Sequence, residues 1–289
     1  MASELARRIG FAAVAIPLAL LITWYGGAPL ALLLAAAAAL GCAELFGLAE
    51  RSGTHPARGL GIATATAIPL LTWLALSSPP VAAMVERAGH YLVALWLVAL
   101  LSWTLTARSP SGRPLEAASV TLLAVLYTGG LPAFALLIRH GGHPVRSWAG
   151  AWLVFFPLVV TWVCDTAAMF GGRIFGGPKL APTVSPGKTR SGTAIGVVGA
   201  LAVAPLFSGW IFPRVGVEIS PWQALAVAGV LSVAGQVGDL AESLIKREAG
   251  VKDSSRLIPG HGGVLDRLDS LYFVVPVTAA MYRYFEVIT

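Results

Sequence analysis

Charge is scarce in this chain. Only 12% of its 289 residues are Asp, Glu, Lys or Arg, while 56% are hydrophobic and the mean hydropathy is +0.77. A soluble globular domain has about a quarter of its residues charged and about half or less apolar, so an ordinary soluble fold is excluded. Cysteine is scarcer still: Cys42 and Cys164 are the only two, each inside a long apolar run. That supports neither a disulfide framework nor a zinc cluster, and two buried, inert thiols are the reading. The first five apolar runs carry little polar chemistry, and no internal repeat is visible. The inverted-repeat signature of a secondary transporter is therefore lacking.

What fills the chain is hydrocarbon. A spanning helix needs about 20 mostly apolar residues. About nine runs meet that length, near 9–26, 28–48, 59–77, 88–106, 117–138, 148–170, 192–212, 221–246 and 265–285. The pattern predicts an all-α integral membrane protein with about nine transmembrane helices. Short connections leave room for one polytopic domain over 1–289, with N-terminal helices in 1–145 and a polar, catalytic half in 146–289. Pro17, Pro69, Pro132, Pro157, Pro205 and Pro276 fall inside the runs, which membrane helices tolerate when neighbours re-satisfy the freed backbone groups. Arg7 and Arg8 precede the first run as in a signal peptide, but no clean small-residue cleavage site follows. A retained first helix is expected.

The basic residues divide unequally between the two faces that nine spans define. Arg7, Arg8, Arg51, Arg58, Arg108, Arg113, Arg173, Lys179, Lys188, Arg190, Lys246, Arg247, Lys252, Arg256 and Arg267 fall on the N-terminal side, and Arg87, Arg139, Arg146, Arg214 and Arg283 on the other. Fifteen against five is a positive-inside bias. It predicts a cytoplasmic N-terminus in a cell inner membrane, with the loops 171–191 and 247–265 cytoplasmic. Without the nine basic residues of that side from Arg173 onward the count is six against five, so the bias rests on them.

Four acids lie within the first eight predicted spans: Glu44, Asp165, Asp239 and Glu242. A charge near a helix centre costs about 2.5–3.5 kcal/mol on insertion scales, and such residues are functional candidates by default. Glu44 is near the end of the second run, followed by Glu50 and Arg51, where interfacial pairing explains it more readily than function does. Asp165, Asp239 and Glu242 stand next to polar loops. Asp239, Glu242, Ser243 and Lys246 follow i, i+3, i+4, i+7 spacing and share one helix face. Carboxylates combined with water and substrate phosphates suit Mg²⁺. Lys246 and Arg247, at the helix exit, suit phosphate as a point charge and a bidentate fork.

Between Ser243 and Asp269 charge becomes dense: Lys246, Arg247, Lys252, Arg256 and Arg267 lie among Asp253, Asp266, Asp269 and His261. Gly260, Gly262 and Gly263 allow backbone amides to approach an anion. Asp266 and Asp269 share a face at the start of the last run, and Asp266 with Asp239 is the natural pair to hold a metal. His261 is a candidate for ligand contact or general-base work. A second glycine-rich loop carries Arg173, Lys179, Ser185, Lys188 and Thr189. It is not a P-loop, because Pro182 stands where that motif requires glycine and no strand is expected before it.

The run Ser243-x-x-Lys246-Arg247, Lys252-Asp253-x-Ser255, Ile258-Pro259-Gly260-His261-Gly262-Gly263 and Asp266-Arg267-x-Asp269 resembles the signature of phosphatidate cytidylyltransferases, the CDP-diacylglycerol synthases. Asp165, Gly172-Arg173, Lys179-Leu180 and Ser185-Pro186-x-Lys188-Thr189 are similar to the family as well, so the likeness covers roughly the C-terminal half. The chain departs from the pattern at Gly177 and Gly187, where lysine is common, and at Ser191, where an acid is usual. The resemblance implies transfer of CMP from CTP to phosphatidic acid with release of pyrophosphate, on one or two Mg²⁺ ions held by Asp239 and Asp266. It implies catalytic roles for Asp239, Lys246, Arg247, Asp266 and His261. Substrate contacts would fall to Asp165, Arg173, Lys179, Ser185, Lys188, Thr189, Glu242, Ser243, Lys252, Asp253, Gly262, Gly263, Arg267 and Asp269. It also implies a homodimer in the bilayer, with no nucleic-acid partner. Two other classes fit less well. A cation-coupled transporter would spread its acids through several helices, and CDP-alcohol phosphotransferases carry an Asp-Gly-x-x-Ala-Arg motif that is absent here.

Overall fold

A computed structural model describes residues 2–258, 260 and 262–288, with the side chains of 2–9, 11 and 12 left aside. The elements in chain order are α1 (Ala2–Tyr25), α2 (Gly27–Arg51), α3 (Arg58–Ser77), α4 (Pro79–Ala107), α5 (Pro114–Ala124), α6 (Leu131–His140), α7 (Trp148–Phe175), β1 (Lys179–Ala181), β2 (Ser185–Thr189), α8 (Arg190–Leu206), α9 (Phe212–Arg214), α10 (Pro221–Glu248), α11 (Leu265–Leu268) and α12 (Leu271–Tyr284). Among the described residues, seven helices are long and apolar enough to cross a membrane. The protein is an all-α, multi-pass membrane protein with one small hairpin. The ninth predicted run, 265–285, is divided. Asp269 Oδ1 accepts the Ser270 amide at 2.6 Å between α11 and α12, and the 14 residues of α12 reach about 21 Å at helical rise.

Two spans contain wide π turns, at Val125–Gly130 between α5 and α6 and at Phe207–Ile211 between α8 and α9. Each ends two residues before a proline, Pro132 and Pro213. A proline offers no N–H and its ring presses on the carbonyl four residues back, so the preceding turn opens rather than breaks.

The chain forms two compact units, Met1–Ile16 with Gly27–Leu136 and Glu248–Arg267, and Pro17–Gly26 with Leu137–Arg247 and Leu268–Thr289. In the first, α2 and α3 meet through small residues. A Cβ on Gly61 would run into the Phe46 ring, and on the other side of α3 one on Gly129, in the first π turn, would lie 2.6 Å from the Ala65 carbonyl. The connection between α2 and α3 is tied to α5: Ala57 N donates to Thr121 Oγ1 at 2.9 Å in a buried bond, and Thr54 Oγ1 donates to Glu116 at 2.9 Å.

In the second unit α7 and α8 are the most extensively packed pair. Gly192, Gly196 and Gly199 make a small-residue stripe on α8 of the kind that lets membrane helices approach closely. Their missing Cβ atoms would come within 2.6 Å of Ala168 O, 3.0 Å of Cys164 O and 2.6 Å of Ala167 Cβ. Below them Phe156, Phe207 and Phe212 cluster with ring centroids 4.8–5.5 Å apart. Arg139, expected among the loop charges, is instead fully buried. Its guanidinium donates to Thr23 O at 2.8 Å, Trp24 O at 2.5 Å and Pro144 O at 3.1 Å, so it caps carbonyls at the end of α1.

Close approach along α7 and α8 predicts that Gly192→Ala lowers stability in detergent by on the order of 1–3 kcal/mol, the usual cost of overpacking. Gly47→Ala on α2, where a Cβ meets nothing within 4 Å, should leave it unchanged or raise it. Thermal unfolding of the two variants beside the wild type reads the difference.

Candidate active site

The second unit assembles charge around the cytoplasm-predicted end of α10. Asp239, Glu242, Ser243 and Lys246 occupy one face of that helix, as their spacing predicted. Glu242 is fully buried and pairs with Lys246 Nζ at 3.0 Å. One turn back, Asp239 Oδ2 pairs with Lys188 Nζ at 2.7 Å, and its Oδ1 accepts from Ser243 Oγ at 3.3 Å. Asp165 from α7 lies in the electrostatic field of Asp239, Asp269 and Lys188, and Asp269 in that of Asp239, Lys188 and Lys246. Four carboxylates against two ammonium groups leave an excess of negative charge.

Lys188 is delivered by the hairpin. The predicted glycine-rich loop pairs β1 and β2 antiparallel, with Lys179 opposite Thr189 and Ala181 opposite Ser185. The entry turn needs left-handed backbone at Gly176 (φ +57°) and Gly177 (φ +99°), which glycine adopts without a Cβ clash. A glycine rather than a lysine at 177 therefore has a conformational reason. Thr189 caps α8, accepting from Gly192 N at 3.1 Å. The Ser191 hydroxyl donates to Gly176 O and lies 3.1 Å from Thr189 Oγ1, so the residue that replaces an acid fastens the hairpin base. Arg247 Nε donates to Val184 O at 3.1 Å and ties the turn to the end of α10. Arg173 and Lys179 are exposed, and Ser185 is half-buried. Periodicity could not reveal this hairpin, because its strands are three and five residues long; the Ala181-Pro182-Thr183 turn was the available signal.

The first unit holds the other charged segment. The described residues between α10 and α11, 249–258, 260 and 262–264, form a loop pinned by two carboxylates. Asp266 Oδ2 accepts from Ser254 N, Ser254 Oγ and Gly263 N, each at 2.8 Å. Glu44 accepts from Ser254 Oγ at 3.0 Å, Ser255 Oγ at 2.7 Å, Val264 N at 3.0 Å and Leu265 N at 2.8 Å. Gly262 has φ +80°, and a Cβ there would stand 2.5 Å from Asp266 Oδ2. The anion that Gly263 approaches here is thus the protein's own carboxylate. Lys252, Asp253, Arg256 and Arg267 are exposed on this loop and the turn after it. His261 and Pro259 lie outside the described residues. Interfacial pairing belongs to Glu50, which meets Arg58 at 3.2 Å, and not to Glu44. The only early signal for Glu44 was an acid inside an apolar run, since its partners lie more than 200 residues away.

Among the described residues, no three His, Cys, Asp or Glu side chains converge to enclose a metal. The surplus of carboxylates around Asp239 fits a cation. Asp266 has its Oδ2 committed to Ser254 and Gly263.

These features define a multi-pass membrane protein that gathers its charge at the end of α10 and on the segment after it. The chain belongs to the cytidylyltransferase family, whose model matches residues 6–285. It is 36% identical over 283 residues to the phosphatidate cytidylyltransferase of Brucella suis biovar 1, covering 98% of this chain and 93% of that protein. It is 37% identical over 290 residues to the Brucella melitensis phosphatidate cytidylyltransferase, with the same coverage. The Haemophilus influenzae enzyme of that name is 44% identical over 150 residues, 51% of this chain and 50% of that protein.

The side chains of Lys188 and Asp239 are 26% and 30% exposed, so removing the lysine leaves a largely buried carboxylate without its cation, at a cost between the about 0–1 kcal/mol of a surface pair and the about 3–5 kcal/mol of a fully buried one. Lys188→Met is expected to lower the unfolding free energy in detergent by on the order of 1–3 kcal/mol, and an unchanged value would show that the pair does not fasten the hairpin to α10.

Proposed function

We infer that this chain transfers the cytidylyl group of CTP to phosphatidate, giving CDP-diacylglycerol and pyrophosphate for phospholipid synthesis. The observation that carries the reading is similarity to phosphatidate cytidylyltransferases along 98% of the chain, together with the charged segments that an apolar protein otherwise lacks.

The chemistry joins two anions. A phosphatidate oxygen attacks the α-phosphorus of CTP, a bond forms there, and the bond to the bridging oxygen breaks so that pyrophosphate leaves with the electron pair. Phosphoryl-type transfer depends mainly on positioning and charge neutralisation, so no side-chain nucleophile is needed. Lys188, Lys246, Arg247 and Arg173 neutralise the triphosphate and the departing pyrophosphate. Lys179, Ser185 and Thr189 belong to the nucleotide-binding hairpin, and Lys252, Asp253 and Arg267 are assigned to substrate contact. His261 is assigned ligand contact. Mg²⁺, as one or two ions, would supply neutralisation of the phosphate charge. Asp239 is the carboxylate assigned to it, supported by Asp165 and Asp269, and Asp266 enters that assignment through the resemblance alone.

The reading also includes nine spans, a cytoplasmic N-terminus, an inner-membrane location with the site facing the cytoplasm, and a homodimer. The distribution of basic residues supports the orientation, and the family resemblance supports the dimer.

Purified protein in detergent with labelled CTP, phosphatidate and Mg²⁺ is expected to form lipid-linked CMP, and no product would refute the assignment. Asp239→Asn and Asp266→Asn should each abolish turnover while the protein stays folded. A near-normal rate in either variant removes that residue from the machinery.

A further inference from the structure

Glu44 is a buried carboxylate on α2, 8% exposed, in the part of the chain that is otherwise hydrocarbon. It meets the loop 249–264 through four donors, two on each oxygen: Ser255 Oγ and Val264 N on Oε1, Ser254 Oγ and Leu265 N on Oε2. Asp266, 7% exposed, takes three donors of the same loop on one oxygen. The Ser254 hydroxyl has one proton and stands within hydrogen-bond distance of both acids, at 3.0 and 2.8 Å, so the two carboxylates are bridged through it.

This geometry requires a carboxylate. An amide in place of Glu44 would keep one acceptor oxygen and turn an NH₂ toward a backbone N–H of Val264 or Leu265. Donor would then face donor in a buried place, which costs more than the loss of one bond. The loop so fastened bears Lys252 and Arg256, both exposed, and Arg267 follows. We propose that Glu44 is a positioning residue for the transfer reaction: by fixing the loop backbone from α2 it holds the exposed basic side chains ready for a polyphosphate. The residue touches neither substrate, so it acts on affinity before it acts on the chemical step. This inference rests on the cytidylyltransferase reading.

The test uses the full-length protein in detergent, with steady-state kinetics and hydrogen exchange together. Glu44→Gln is expected to raise the KM for CTP about tenfold or more, in the range typical of lost supporting contacts, with a smaller change in kcat. Exchange across 251–265 should quicken while the spans stay protected. Glu44→Asp, which keeps the charge, should recover part of the KM, and Glu50→Gln on the same helix should match the wild type in both readouts. An unchanged KM with wild-type exchange in Glu44→Gln overturns the proposal. So does a loss confined to kcat. If Glu44→Gln does not fold, Ser255→Ala, which removes one bond to Oε1, decides: faster exchange in 251–265 supports the proposal and unaltered exchange refutes it. If the wild type forms no lipid-linked CMP, the functional reading fails, while the exchange comparison still reports on the fastening.

Discussion

An ionised carboxylate placed among hydrocarbon must find donors, and that constraint organises this protein. Glu44 and Asp266 together draw six donors from residues 254, 255 and 263–265, with the Ser254 hydroxyl shared between them. Unpaired, such groups would carry desolvation costs of several kcal/mol each. With the bonds made, a glycine-rich stretch with little tendency to adopt one shape becomes a defined surface. Gly262 and Gly263 serve the same end, since side chains there would occupy the space of the two acids.

In the second unit the same constraint is met with opposite charges. Glu242 is neutralised by Lys246, and Asp239 by Lys188, which the hairpin brings in. Asp165 and Asp269 leave a negative surplus there, and the proposed Mg²⁺ assignment rests on it. The close glycine packing of α7 against α8 holds Asp165 and the hairpin base in fixed relation, because Thr189 and Ser191 lie at the start of α8.

Hydropathy read the spans well because a bilayer imposes length and apolarity on a contiguous segment. The runs at 28–48, 59–77, 148–170 and 221–246 correspond to α2, α3, α7 and α10 with small shifts at their ends. The helix α4 begins nine residues before its predicted run because Glu86, Arg87 and His90 lower the local hydropathy, while Pro79 and Pro80 suit a helix start. The π turns, the hairpin and the break at Asp269–Ser270 were hidden. Each depends on single hydrogen bonds or ring clashes that leave hydropathy unchanged. Among the acids, the stripe on α10 was legible because helical spacing is local. The task of Glu44 was not, since it is set by contacts with residues 254–265, far along the chain.

The account makes charge neutralisation and positioning the source of catalysis, with direct attack by phosphatidate on CTP and no covalent enzyme intermediate. Exchange of labelled pyrophosphate into CTP tests this most directly. Without phosphatidate, no label should enter CTP, since the α-phosphorus bond breaks only when the lipid attacks it. Rapid exchange in the absence of lipid would reveal a cytidylylated side chain and contradict the account.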